Sequence, residues 1–594
     1  MNTASKNELE DFQKSTAPEQ FDLSAPASNT LLPGTSVAIS RRVDRSVEID
    51  LPQEGEALST PSAEVVLTGM ERSARHHIDR FPRSARAHAN LGIALLKKGQ
   101  TEEACKELEF ALDLEPTNYL AAITLARLHV EAGRIADALH WYEKLTMLYP
   151  ESAAVEIGLS NVLIHAGNFP KAHPHLSRAM ELDPRNPYVH FLLGVICLQK
   201  SDLRGALNEF RAASNLDFRS PNLYHAMGVA YVLQGDYPRA EKAFKTALNL
   251  APDSANTVVS LGSTLLAFGK SDRAITILQD FLERHPDDLQ GRNQLAAAYM
   301  QAERYGMVRA QISKILEGGS EKLSPEEISR HHTNIAVSFM YEKSFDRAAT
   351  ELEMAIKAAP SASSIPYDNL ARVYAHTNKK PLAIRLLEKA TTLFPSSRDT
   401  YLLLSILYAE QERFLEAISL VEKLRQLGPL SDENYASLGY YYGELNLAEK
   451  AMDVLMEGYE KFPKSMSVIN NLAYFLLMEG QVAQAKQVLD SRPRNVEDRV
   501  ELVATIGLLH LKQGDYDSAR RLYKHAEGMA SKTSRKELAR QVRQKMHLEL
   551  ARYHIARGEY DLAKREISAG LNEKHSRQSF VDELIDLEQL LQAE

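Results

Sequence analysis

Histidine is a common metal ligand, and His165, His173 and His175 stand close together, with His129 and His140 a short way upstream. Two histidines separated by one residue on a helix point to different faces, however, and no acidic residue is spaced with them for ligation. Surface or packing roles are expected instead. The only cysteines, Cys105 and Cys197, form no Cys-x-x-Cys pair, which argues against a disulfide framework or a zinc site. No Gly-rich phosphate loop, nucleophile elbow, His-Glu-x-x-His or calcium loop occurs. No catalytic residue, metal or cofactor is expected.

Asparagine offers another chemistry. Asn90, Asn334, Asn369 and Asn471 carry amides that donate and accept at once, as a peptide backbone does. Asn293, Arg330 and Arg372 lie in the same polar stretches, beside Gln290, Gln294, Thr333 and Asp368. Upstream, Tyr188, Phe191 and Val195, with Ile157, Leu198, Val229, Val232, Val259 and Leu266, suit an apolar peptide or one face of an amphipathic helix. A basic run from Lys532 to Lys545 holds six cations and one acid, Glu537, and reads either as a docking place for an acidic partner or as a solvated helix extension.

The elements that must carry these side chains repeat. Ala104, Ala138, Ala172, Ala206, Ala240 and Ala274 recur every 34 residues, and a unit in which Ala104 is the twentieth position can be followed through fourteen copies. The twentieth position is Ala in all of them except one, where Val308 stands. The eighth is always Gly, Ala or Ser, from Gly92 to Ala551, and nine copies carry Pro at the thirty-second, from Pro116 to Pro463. Apolar residues step by three and four, as in Leu91, Leu95, Leu108 and Ala111, so each unit reads as two amphipathic helices. Gly99, Gly133, Gly167, Gly235, Gly269, Gly480, Gly514 and Gly558 mark the turn between them. The small eighth and twentieth residues fall where the paired helices cross.

The unit from Pro221 to Pro252, with Tyr224, Met227, Gly228, Tyr231, Gly235, Tyr237, Ala240, Phe244, Ala247 and Pro252, resembles the tetratricopeptide repeat. Similar registers cover Ala85 to about Gly570. The resemblance implies an all-α, right-handed solenoid superhelix of about 14 helical hairpins with capping helices. It also implies a concave face lined by the second, fifth, sixth, ninth and twelfth positions, which is where the asparagines and the apolar cluster fall. The asparagines at the sixth position are similar to the ladder lining the superhelix of O-GlcNAc transferase, although Leu192 and Leu403 interrupt them. The clamp by which some family members hold chaperone tails is not expected, since the first copy has Ala89 and Ile93 at its fifth and ninth positions.

Five segments follow: a disordered tail over 1–60, a cap helix and seven repeats over 61–317, a hinge over 318–327, seven repeats over 328–572, and a C-terminal cap over 573–594. The hinge rests on a longer interval containing Gly318, Gly319 and Pro325, and Pro174 is expected to kink its helix. Within the tail, Val37, Ile39, Val43, Val47, Ile49 and Leu51 alternate like a strand seeking a groove. Apolar residues at 44%, charged residues at 25% and a net charge of −9 spread along the chain describe a folded protein without a basic stripe for nucleic acid. Neither an export signal nor a run of apolar residues long enough for a membrane is visible, so a cytoplasmic location is expected.

The expected partners are therefore other proteins or peptides held on the concave surface by a non-catalytic scaffold, with the oligomeric state left open. Two alternatives stand beside it: a recruitment subunit of an enzyme assembly for glycosyl transfer or envelope polymer export, and a sensor whose groove its own residues 37–51 occupy.

Overall fold

A computed structural model describes residues 61–319, 323–493, 499–532, 536–573 and 578–593; the N-terminal tail, with its alternating stretch, lies outside them. Among the described residues there are thirty helices and no strand. Helix Pro61–Arg80 comes first, fourteen helix pairs run from Ala85–Lys97 with Thr101–Leu114 to Lys536–Ala556 with Tyr560–Leu571, and Gln578–Ala593 comes last. The chain is an all-α array of helical hairpins. It divides into two compact units, one ending at Ile315 and one beginning at Leu316.

Small residues set the spacing within each pair. Every residue at the twentieth position, from Ala104 to Ala563 and including Val308, is fully buried. At the eighth position a Cβ on Gly228 would lie 2.6 Å from the Phe244 ring, and one on Gly194 would lie 2.5 Å from Phe210. These first helices accept large side chains of the second only because they present bare backbone. The turns are equally uniform. All eight glycines of the turn have positive φ, as do Ser201, Glu303, Lys343, Asn378, Glu412 and Asn446 in the six remaining copies, with φ between 57° and 82° overall. Every hairpin thus closes through one left-handed residue, a conformation Gly takes without strain and other residues take at a cost. The recurrent prolines follow two residues after the second helix, where a missing N–H breaks no helical bond.

Polar contacts recur at fixed separations as well. Within a pair, the fourth position meets the twenty-third: His88 Nδ1 is 2.6 Å from Glu107, His190 is 2.7 Å from Glu209, His332 is 2.7 Å from Glu351 and His547 is 2.6 Å from Glu566. In the third copy the order is reversed, with His175 2.7 Å from Glu156. Between neighbouring copies, Tyr at the eleventh position reaches the preceding second helix: Tyr408 donates to Glu388 at 2.6 Å, Tyr374 to Glu353 at 3.1 Å, and Gln279 donates to Tyr299 at 2.9 Å.

The ends and departures have local causes. Ala74 and Ile78 of the first helix pack on Leu91, Leu95 and Ala104, and Leu584 and Leu591 of the last pack on Ala563 and Ile567, so both cover an apolar face that a further repeat would otherwise bury. The segment expected to be a hinge is mostly helical at its edges. One helix continues through Gly319, and Pro325 opens the next behind a Ser324–Glu327 capping box, while residues 320–322 of the expected hinge lie outside the described residues. Pro174 lies inside the unbroken helix Phe169–Leu182, early enough that the bond it forfeits is the one to the Pro170 carbonyl in the first turn.

Candidate functional site

In the N-terminal unit, the apolar residues read as a groove separate into two kinds. Phe191 is fully buried, with ring centroids 6.1 Å from Phe210 and 5.8 Å from Phe218, and Val195 is 2% exposed. Both are packing residues, because their helix is closed over by the second helix of its own pair. Leu198 and Leu266 are buried in the same way. Tyr188 is half-buried, stacks on Phe191 at 5.8 Å and lies 6.0 Å from Phe218, and Ile157, Val229, Val232 and Val259 are also half-buried. Asn90 is exposed and Asn293 half-buried. Gln294 is buried against Gly262 of the preceding copy, where a Cβ would lie 3.3 Å from its Cγ.

The C-terminal unit holds a denser polar group on the first helices of the eighth and ninth copies, Pro325–Tyr341 and Ile365–His376. Asn334 is 3% exposed and Asn369 1% exposed. Neither Nδ2 nor Oδ1 of Asn369 has a hydrogen-bond partner among the described residues. Beside it, Asp368 Oδ1 accepts from Thr400 Oγ1 at 2.8 Å, Thr400 meets Ser397 at 2.8 Å, and Ser397 meets Ser364 at 2.9 Å. Burial pushes the Asp368 carboxyl up to about 6, against the opposing pull of the Thr400 and Ser364 hydroxyls and the Arg372 guanidinium. Arg372 is half-buried one turn further on, and Arg330 reaches Glu327 at 3.7 Å. His331 is buried and held down to about 4 by desolvation and by the neighbouring Arg330.

Asn471 is already engaged. Its Nδ2 donates to the Ala436 carbonyl at 3.1 Å, its Oδ1 accepts from Asn470 at 3.1 Å, and Asn470 Oδ1 accepts from Thr505 at 2.9 Å. This chain ties three successive first helices together, so Asn471 acts between repeats and is removed from the binding set. The basic run is likewise tied down where it is described: Arg543 pairs with Glu527 at 2.8 Å and with Glu573 at 2.9 Å, and Lys545 lies 3.9 Å from the centre of the Tyr474 ring. Among the histidines, His175 does have an acidic partner, Glu156 on the preceding helix, which sequence spacing alone concealed. No group of three or more His, Cys, Asp or Glu is placed to hold a metal among the described residues. No helix there is long and apolar enough to cross a membrane.

Sequence reasoning named Asn334, Asn369, Arg330 and Arg372, and the structure places all four on two successive first helices. It missed Thr400, Ser364 and Ser397, which sit near repeat boundaries and gain meaning only beside Asp368. It also missed the His–Glu pairs, whose constant 19-residue separation was the available signal.

Comparison with known proteins gives a consistent family. Two models, each described as a tetratricopeptide repeat, match residues 95–161 with 231–299 and residues 157–217 with 369–432. No curated protein sequence matches the chain. Among solved structures, similarity is found to the APC/C hetero-tetramer Cut9-Hcn1, at 16% identity over 85% of this chain and 98% of that one, with a TM-score of 0.38. Yeast Tom70 is similar at 14% identity over 75% of this chain and 97% of its own, with a TM-score of 0.33. YrrB, described as a TPR protein with an unusual peptide-binding site, is similar at 21% identity over 32% of this chain and 97% of its own, with a TM-score of 0.27.

Proposed function

The chain is a tetratricopeptide-repeat protein, and from that premise we propose that it serves as a non-catalytic scaffold whose first helices hold a segment of a partner protein. The observation that carries this reading is Asn369. A buried amide with neither its donor nor its acceptor satisfied costs about 1–3 kcal/mol in the free protein; a bound peptide unit, with one C=O and one N–H, removes that cost once the side chains covering this 1% exposed residue move aside for it. Asn334 occupies the equivalent position one repeat earlier, and Arg330 and Arg372 add charge at either side. The site therefore favours an extended segment read through its main chain, with acidic side chains preferred next to the arginines.

The half-buried Ile157, Tyr188, Val229, Val232 and Val259 supply a second, apolar contact region in the N-terminal unit. Two modest contacts carried on one chain give more affinity together than either gives alone. The test is to pan a displayed library of random peptides against the full chain and against the Asn334→Ala, Asn369→Ala double variant. Selected peptides are expected to bind the parent at least about tenfold more tightly, the equivalent of about 1.4 kcal/mol. Equal affinity for a variant with an unchanged circular-dichroism melt would remove Asn334 and Asn369 from the site.

A further inference from the structure

In a repeat array the chain itself does not say which helices belong together. Three residues, 98–100, join Ala85–Lys97 to Thr101–Leu114, and four, 115–118, join that helix to Tyr119–Glu131. Both connections are short enough to close a hairpin. Within each of the two units, second helices such as Thr101–Leu114 and Lys380–Leu393 lie against the first helix of their own copy and against that of the next. A second helix that takes the next copy's first helix as its intimate partner, while that copy's second helix takes the first helix so left free, would exchange the pairing of two neighbouring copies. The twentieth position is no guide, because Ala there is nearly invariant among the copies.

The fourth and twenty-third positions do differ between copies, and they differ together. Six copies are polar at both: His88 with Glu107, Glu156 with His175, His190 with Glu209, Arg292 with Gln311, His332 with Glu351 and His547 with Glu566. The other eight are aromatic or aliphatic at both. In the N-terminal unit these are Ala122 with Trp141, Tyr224 with Ala243 and Val258 with Ile277. In the C-terminal unit they are Tyr367 with Leu386, Tyr401 with Leu420, Tyr435 with Val454, Ile469 with Val488 and Val503 with Leu522. No copy sets a polar residue against an apolar one.

From this matched alternation we infer that, among the first five copies, the pair at positions four and twenty-three selects which second helix each first helix folds against. The mechanism is exclusion. An exchange between the first and second copies sets His88 against Trp141 and strands Glu107 beside Ala122, and the second and third copies fail in the same way. The third and fourth copies are both polar, and there the reversed order decides: exchange brings Glu156 to Glu209 and His190 to His175. The fourth and fifth copies again mix polar with apolar. Thus every exchange between neighbours among the first five copies meets a mismatch. A partly buried polar group without its partner costs more than the matched pair contributes, so the pairs act mainly against wrong structures.

The experiment uses the full chain, refolded from urea and read by the fraction recovered as monomer in gel filtration with light scattering. His88→Glu and Glu107→His, in the first copy, whose neighbour stays apolar at Ala122 and Trp141, are made singly and together. Each single variant is expected to lower monomer recovery by at least about twofold, and the double variant, which has the order already found in the third copy, to restore it. Recovery that stays low in the double variant overturns the proposal. A second set converts three pairs to apolar ones, through His88→Tyr with Glu107→Leu, Glu156→Tyr with His175→Leu, and His190→Tyr with Glu209→Leu. A melting temperature at or above that of the parent, combined with recovery reduced at least about twofold, separates pairing specificity from stability. Unchanged recovery in this set overturns the proposal, because it shows that pairing needs no polar mark.

Discussion

Asp368 accepts a hydrogen bond from Thr400 at 2.8 Å across the seam between two successive repeats, and it does so from a site buried enough to hold its carboxyl up to about 6. In the same unit His331 is held down to about 4 by burial, with Arg330 and His332 adding to the effect and Glu327 opposing it. The two groups pull stability in opposite directions as pH changes.

The signs follow from proton counts. Near pH 5 an unfolded His331 is protonated and the folded one is not, so its contribution grows as pH rises from about 4 to 6.5. Asp368 near pH 5 is ionised when unfolded and protonated when folded, so its contribution, full below 3.8, is lost as pH rises through about 6. Each changes stability by up to about 1.4 kcal/mol per pH unit within its window. Asp368→Asn keeps an acceptor for Thr400 and abolishes the second effect. Relative to the parent it is expected to gain stability steadily from pH 4 to 7 and to level off at about 3 kcal/mol. Urea unfolding across this range checks it; a constant difference between variant and parent would show that Asp368 is ionised in the folded chain.

Glycine at the eighth position differs in importance from copy to copy. On Gly228 a Cβ would lie 2.6 Å from the Phe244 ring, whereas on Gly507 it would lie 3.3 Å from the Tyr523 ring. Gly228→Ala should therefore displace a fully packed ring and cost about 1–3 kcal/mol, while Gly507→Ala needs a shift of a few tenths of an ångström and should cost less than about 1 kcal/mol. Thermal melts of the two variants, compared side by side, test the ordering.

Six turns close through left-handed residues that are not glycine. Lys343 has a φ of 57° and Glu412 one of 59°. Replacing either by Gly removes steric strain of about 1 kcal/mol, partly offset by the freer unfolded chain, and so should stabilise locally. Gly235→Ala, at a φ of 80°, should destabilise by a similar amount. Because repeats open locally, hydrogen exchange in the helices flanking each turn is the appropriate readout.

How much of this was legible depended on whether a position is constrained by backbone or by partners. Ala at the twentieth position and Gly at the turn announce themselves, since helix crossing and left-handed φ exclude most alternatives. Lys343 and Glu412 hold the same conformation silently, because strain permits them without demanding them. The binding face was harder. Position along the unit correctly put Asn334 and Asn369 on neighbouring first helices, but it could not show that Phe191 is closed over by Phe210 and Phe218, or that the Asn471 amide is spent on the Ala436 carbonyl. Asp368 read as one more polar groove residue until Thr400 was seen beside it. Such contacts join segments 19 to 35 residues apart, and spacing reveals them only when several copies repeat them.

Asn369 separates function from stability most sharply. If its amide is kept unsatisfied for a partner, the free protein bears the cost, and an apolar side chain of similar volume should relieve it. Asn369→Leu is expected to raise stability by about 1–3 kcal/mol, provided the neighbouring Leu370 and Arg372 need not move. The same change should weaken binding of any peptide selected against the parent by at least about tenfold. A purely structural asparagine gives the reverse result for stability, since its loss would break contacts and lower the melting temperature. Measuring melting temperature and peptide affinity on one preparation distinguishes the two. Higher stability with weaker binding means that the repeat array gives up stability at this position so that its amide is free for a partner chain.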